Sequence, residues 1–240
     1  MSAADFDYDS LETGYYDKIY RRSGAIRRFW HHYKFKAIES LIVSSSQSRI
    51  LDIGCAAGSF LGHLRKPCLD KTGVDIARKQ IEYANQKYGN SRCHFIAGDI
   101  RQLPLERESF DIVVLSEIIE HISKSQGGCF IARIHELLKP GGKLILTTPN
   151  YKSLWPIIEF LLNRFAEVSH ELQHINPLNL RTIDLLLREN KLYPVDKGTF
   201  FILSPFIAGL SWKAAKRLME FERAHLRYLG SILYVVAEKR

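Results

Sequence analysis

The chain is short of cysteine, with four in 240 residues (Cys55, Cys68, Cys93 and Cys129) and none at C-x-x-C spacing. That excludes a disulfide scaffold and a thiolate zinc knuckle, and it points to reduced, buried thiols in a cytoplasmic protein. No uninterrupted apolar run approaches the length of a membrane span. The opening Met1-Ser-Ala-Ala-Asp-Phe-Asp-Tyr8 is acidic and lacks the apolar core of a secretory signal. Repeats and low-complexity tracts are missing, so solenoid and tail architectures drop out. No Ser/His/Asp order or nucleophile elbow appears, and no cysteine has a basic partner at useful spacing. His31, His32, His63, His94, His135 and His225 have no partner at metal-ligand spacing. One local absence stands out. Between Lys18 and Lys36 there is no acid, while Lys18, Arg21, Arg22, Arg27, Arg28, Lys34 and Lys36 make the densest basic patch in the chain.

What is present is ordinary for a globular protein: 46% hydrophobic and 25% charged residues, with a net charge of +8. That charge permits an anionic partner such as nucleic acid or a lipid headgroup surface without requiring one. For the basic patch, a solvated helix face is the simpler expectation.

The chain is organised around Arg49-Ile-Leu-Asp-Ile-Gly-Cys-Ala-Ala-Gly58, followed by Ser59-Phe-Leu-Gly-His-Leu-Arg65. Ile50, Leu51 and Ile53 suit a buried parallel strand, and Phe60, Leu61 and Leu64 take helical spacing. Small residues at such a strand-to-helix turn let the backbone approach a ligand, and the helix N-terminus presents free N–H groups. The spacing Gly54-x-x-x-Gly58 does not fit the dinucleotide fingerprint G-x-G-x-x-G. Asp75 ends a second short strand, where a carboxylate can accept both hydroxyls of a ribose. Asp99 ends a third, in His94-Phe-Ile-Ala-Gly-Asp-Ile100.

Taken together, these stretches resemble a class I S-adenosylmethionine (SAM)-dependent methyltransferase from about Ile50 to Pro149. Leu51-Asp-Ile-Gly-Cys-Ala-Ala-Gly58 resembles the family's LD-x-G-x-G-x-G, except that Ala56 stands where the middle glycine is usual. Ala56 is expected to keep the turn if its φ is negative. Phe110 to Glu117 resembles the fourth strand, and Leu138 to Leu146 the turn into the fifth. The resemblance implies an α/β, Rossmann-like, doubly wound sheet of seven mostly parallel strands with helices on both faces. It implies SAM as cofactor and S-adenosylhomocysteine (SAH) as product. The cofactor contacts it implies are Asp52, Gly54, Cys55, Ala56, Gly58, Asp75, Ile76, Asp99, Ile100 and Ser116. An N-terminal helical segment would cover the cofactor edge, with Tyr15, Tyr16 and Tyr20 lining or closing the site.

The candidate chemistry is Glu117-Ile-Ile-Glu-His121, directly after the fourth strand. On a helix, positions i, i+3 and i+4 share a face, so Glu117, Glu120 and His121 are expected to point together. Two carboxylates and an imidazole could ligate Mg²⁺, Mn²⁺, Fe²⁺ or Zn²⁺. Alternatively His121 alone could act as a general base, since imidazoles titrate near neutrality. The E-x-x-E-H pattern resembles two groups: the O-methyltransferases of ubiquinone biosynthesis and the small-RNA 2′-O-methyltransferases. In the RNA group the resemblance implies a metal held by Glu117, Glu120, His121 and a later histidine, His174 or else His170. The N-P-P-[YF] signature of amino-directed nucleic-acid methyltransferases is absent after the fourth strand.

The expected plan is one domain: a helical cover over 1–48, a cofactor-binding core over 49–149, and a substrate or lid region with the last strands over 150–240. Leu154 to Leu162 reads as an apolar, partly helical stretch, and Ser169 to Pro177 as a His-bearing loop. The segment 201–227 reads as an insertion that forms a lid, touches a membrane surface or partner, or completes the core. The leading expectation is O-methylation of a small or lipid-like acceptor such as a phenol, quinone precursor or sugar, with a divalent metal as an option. The alternatives are an RNA 2′-O-methyltransferase, and a non-catalytic SAM-binding or interaction protein.

Overall fold

The computed structural model describes residues 11–153, 176 and 178–240. Seven strands form one sheet: β1 (Arg49–Ile53), β2 (Asp70–Asp75), β3 (Cys93–Ala97), β4 (Phe110–Ser116), β5 (Leu138–Pro149), β6 (Leu192–Phe200) and β7 (Ile232–Lys239). Their spatial order is β3-β2-β1-β4-β5-β7-β6. The strands from β3 through β5 are parallel, and β7 runs antiparallel to both its neighbours, β5 and β6. Pro194 cannot donate a ladder hydrogen bond. It is tolerated because β6 is an edge strand whose register shifts between Pro194 and Asp196.

The helices are α1 (Tyr15–Arg22), α2 (Ala25–Leu41), α3 (Ser59–His63), α4 (Arg78–Tyr88), α5 (Lys124–Leu137), α6 (Leu180–Glu189), α7 (Ser204–Ile207) and α8 (Trp212–His225). They cover both faces, which is why the central strands carry continuous apolar runs. Ile50, Ile112 and Val114 face one core with Phe29 and Tyr33 of α2, Phe60 of α3 and Ile81 of α4. Leu51, Ile53, Val113 and Leu115 face the other, with Phe130 and Ile134 of α5 and Ile183 of α6. The helix α6 begins at a capping box: Asn179 Oδ1 accepts from the Arg181 and Thr182 N–H groups, and Thr182 Oγ1 accepts from Asn179 N–H.

The N-terminal segment is bolted down by a buried acid. Asp17, 1% exposed, accepts from Ser59 Oγ at 3.0 Å, Tyr83 Oη at 2.8 Å, Tyr88 Oη and Lys87 Nζ. Burial raises its pKa, but these donors outweigh that and hold it at about 2. Gln80 adds a second fastening, accepting from Gly14 N–H at 3.0 Å and donating to the Glu12 carbonyl at 3.0 Å. The chain then breaks at Ser23-Gly24, as the sequence suggests, and α2 crosses the first core.

Three expectations change here. Tyr20 does not line the cofactor edge. It is buried in an aromatic stack on His32 at 3.9 Å, between Phe35 and His63. The basic patch is not simply a solvated face: Lys34 is 8% exposed, and Arg28 lies over the Trp212 ring at 5.2 Å. The third narrows: the segment 201–227 packs on the core, one of the roles its sequence left open. Trp212 meets Phe29 edge-on at 5.5 Å, and Phe201 meets Trp30 at 4.9 Å. Leu203, Phe206 and Leu210 nevertheless stay exposed on its outer side. The stretch Leu154 to Leu162 and the loop holding His170 and His174 lie outside the described residues.

Candidate active site

The strand order reverses between β1 and β4, and in open α/β sheets the crevice beyond the carboxyl ends at such a point takes the ligand. Gly54 leaves β1 at φ 76°, and Gly58 opens α3 at φ 73°. Both positions need glycine twice over. A Cβ at Gly54 would sit 2.1 Å from Ile118 Cδ1, and one at Gly58 within 2.8 Å of Phe95 and Ala84. Ala56, between them, is also left-handed, at φ 45°. The negative φ that would have suited an alanine is not adopted: the turn keeps the glycine geometry and strains the alanine. What holds it is Asp75, whose Oδ2 accepts from the Ala56 N–H at 2.8 Å while its Oδ1 accepts from Ala77 N–H at 2.9 Å.

Asp52, 4% exposed inside β1, sits close enough to Asp75 to feel its charge. Burial, then Asp75, pushes its carboxyl up to about 8, against the pull of Lys34. Ile76 follows Asp75 with its side chain 57% exposed, an apolar surface at the end of β2. Asp99 is gripped by the Arg101 fork, with Nε 3.0 Å from both carboxylate oxygens and the Arg101 N–H at 2.9 Å. That grip holds its pKa below the usual carboxylate value. Two other expected cofactor contacts turn inward. Ile100 is 3% exposed and packs in the second core, and Cys55 is 7% exposed with its thiol pushed up by burial. Ser116 accepts from Thr147 Oγ1 at 3.0 Å.

Beyond β4 the expected helical face does not form. Glu117 takes φ 57°, which breaks the strand without starting a helix, and only a 3₁₀ turn follows at Ile119–His121. Glu117, Glu120 and His121 therefore do not share a face at i, i+3, i+4. Glu120 is fully buried and serves the turn: its Oε2 accepts from Thr148 Oγ1 at 2.9 Å, and its carbonyl from Asn176 N–H at 3.0 Å. His121 sits half-buried at the end of the turn. Among the described residues, no three His, Cys, Asp or Glu side chains stand where they could hold a metal ion. Glu117, Glu120 and His121 form no such group among the described residues, and the fourth member of the expected set, His174, lies outside them.

The residue that sequence reasoning missed is Lys34. From α2 its Nζ reaches Glu117 Oε2 at 2.9 Å, so the N-terminal cover is pinned to the strand end where the crevice opens. Glu117 Oε1 is buried with no hydrogen-bond partner among the described residues. The available signal was a lysine on the apolar side of α2, between Phe29, Tyr33 and Ala37, which a count of positive charges had hidden.

Residues 51–146 match the model of the methyltransferase domain family. Over those residues the chain carries a methyltransferase domain. It is 30% identical over 155 residues to a ubiquinone biosynthesis O-methyltransferase of Coxiella burnetii, covering 61% of this chain and 65% of that protein. A tRNA N(3)-cytidine methyltransferase of Gallus gallus is 32% identical over 118 residues, 43% of this chain and 30% of its own length. The chain thus spans between about a third and two thirds of these curated relatives. Among solved structures, a SAM-dependent methyltransferase from Archaeoglobus fulgidus aligns over 95% of this chain and 100% of its own, at TM-score 0.64 and 17% identity. The N-methyltransferase NodS of Bradyrhizobium japonicum, in complex with SAH, aligns at TM-score 0.56 and 20% identity over 91% of this chain and 89% of its own. At those identities the structures speak for the methyltransferase fold alone.

SAM fits the methyltransferase domain's crevice on two counts. The Gly54–Gly58 turn leaves no room for side chains at its glycines, and the buried Glu117 oxygen has a place for a donor.

Proposed function

We propose that the protein methylates an oxygen of a small, apolar acceptor, with His121 as the general base. The supporting observation is the turn after β4. Glu120 serves the turn, its Oε2 accepting from Thr148 Oγ1 and its carbonyl from Asn176 N–H, and His121 stands half-buried at the end of that 3₁₀ turn. When bound, SAM supplies a methyl group on a sulfonium, so the protein has only to align the acceptor and take its proton. In this reading Gly54, Ala56 and Gly58 cradle the methionine end, Asp75 the ribose and Ile76 the adenine face, with Asp99 at the adenine edge. Glu117, paired with Lys34, holds the cover in place and offers its second oxygen to the cofactor's ammonium group. The likeness to a ubiquinone biosynthesis O-methyltransferase supports an oxygen acceptor of phenol or quinone-precursor type. Among the described residues, no helix is long and apolar enough to cross a membrane.

The test is calorimetric binding of SAM and SAH to the wild type and to His121→Ala, alongside turnover on a panel of catechols and phenols. His121→Ala should lose at least about a hundredfold in turnover, in the range of a lost general base, and keep SAM affinity within a few-fold. An equal collapse of SAM binding would make His121 structural. No SAM binding by the wild type would remove the methyltransferase reading itself.

A further inference from the structure

One cavity among the described residues lies away from the crevice. It lies on the other side of α2, between that helix, the end of β6 and α8, with a volume of about 180 Å³. Its buried walls are Tyr33 and Ala37 of α2 with Phe200 and Phe201, and Met219 of α8 adds to them. The exposed side chains that line it are cations from two elements: Lys36, Lys216 and Arg223. Lys36 leans over the Tyr33 ring at 5.0 Å, Arg223 lies over Phe200 at 5.9 Å, and Lys216 reaches the exposed Glu220 only at 3.7 Å. One acid lines the space, Glu222, and its oxygens are held by donors of their own. Its carboxylate accepts from the N–H groups of Ile202, Leu203 and Ser204 and from Ser204 Oγ.

We propose that this cavity binds the chain of a small anionic amphiphile, a carboxylate or phosphate monoester, whose head group meets Lys36, Lys216 and Arg223. The argument is one of size and charge. An apolar cavity of 150 Å³ stays dry and takes a six-carbon ligand, so this one has room for a chain of about six to eight carbons. An apolar hollow edged by three cations favours an anionic chain over neutral and cationic ones, because the anion gains from that rim. The site is separate from the crevice. Lys34 of α2 points to Glu117, while Tyr33, Lys36 and Ala37 of the same helix line the cavity. The proposal does not depend on the acceptor assigned above.

The experiment is calorimetric titration of the whole protein with octanoate and octyl phosphate, both below their micelle concentrations, with octyltrimethylammonium as the cationic control. Both anions are expected to bind at one site per chain, and the cation at least tenfold more weakly. Lys216→Gln combined with Arg223→Gln should weaken the anions at least tenfold, and Ala37→Leu, which fills the hollow, should abolish binding. SAM affinity, measured on each variant, reports whether it has folded. Sedimentation with anionic phospholipid vesicles separates a free amphiphile from a membrane lipid as the source. Equal binding of the cationic chain, or no binding of either anion, would overturn the proposal. So would binding to vesicles alone, since that would place the charge at a surface and not at a cavity.

Discussion

Replacing Asp17 by Asn tests whether the N-terminal cover is held by charge. The isostere keeps the shape and one carbonyl oxygen, but it loses the negative charge that faces Lys87 and one of two accepting oxygens, Oδ1 serving Ser59 and Tyr88 and Oδ2 serving Tyr83 and Lys87. The folded pKa of about 2 lies below the ordinary 3.8. That difference, at about 1.36 kcal/mol per unit, corresponds to about 2.4 kcal/mol of stability at neutral pH. For a chain of this length it lowers Tm by about 5–10 °C. The sign is fixed by linkage: a depressed carboxyl adds stability above its unfolded pKa and loses it as pH falls towards the folded value. The gap between wild type and Asp17→Asn should therefore be constant from pH 7 to about 5, shrink to about half by pH 3, and close near pH 2. Urea denaturation of both proteins across that range reads it directly. A gap that does not change between pH 7 and pH 3 would show that Asp17 acts through shape alone, and the charge argument would be wrong.

Ala56→Gly should stabilise the protein by about 0.5–1 kcal/mol, because relief of a left-handed alanine outweighs the extra freedom of glycine in the unfolded chain; a thermal melt that falls instead would mean the strain is not there. Asp52, raised to about 8 by burial and by Asp75, behaves oppositely to Asp17. Its contribution is intact below about pH 4 and drains away as pH rises towards 8, so Asp52→Asn should flatten the stability profile between about pH 4 and 8; an unchanged profile would count against a protonated Asp52. Lys34→Gln should cost about 1.5–3 kcal/mol, the range for a hydrogen bond to a charged group, and should weaken SAH binding through Glu117. Loss of stability with SAH affinity unchanged would confine the pair to a structural role.

Much of the fold was written in local patterns. The run Ile50, Leu51, Ile53 has to be buried on both faces, and Gly54 and Gly58 mark a strand-to-helix turn whatever the rest of the chain does. The alternation of strands and helices through Pro149, the break at Ser23-Gly24 and the placement of Asp75 and Asp99 at strand ends follow from residue types a few positions apart. The E-x-x-E-H pattern misled because it was read with helical geometry. Left-handed φ at Glu117 is set by how β4 ends against β5, where Glu117 N–H donates to the Thr147 carbonyl, and no local propensity announces it.

What only the tertiary structure decided are contacts across long stretches of chain. Lys34 and Glu117 are 83 residues apart, and Asp17 and Lys87 are 70 apart. A charged side chain in sequence reads as solvated, because leaving water is costly unless a partner waits inside. Whether that partner exists depends on which elements the sheet order brings side by side. The sequence determined the crevice and its glycine turn; the packing of α1 and α2 over it chose which of the many charges would be buried there.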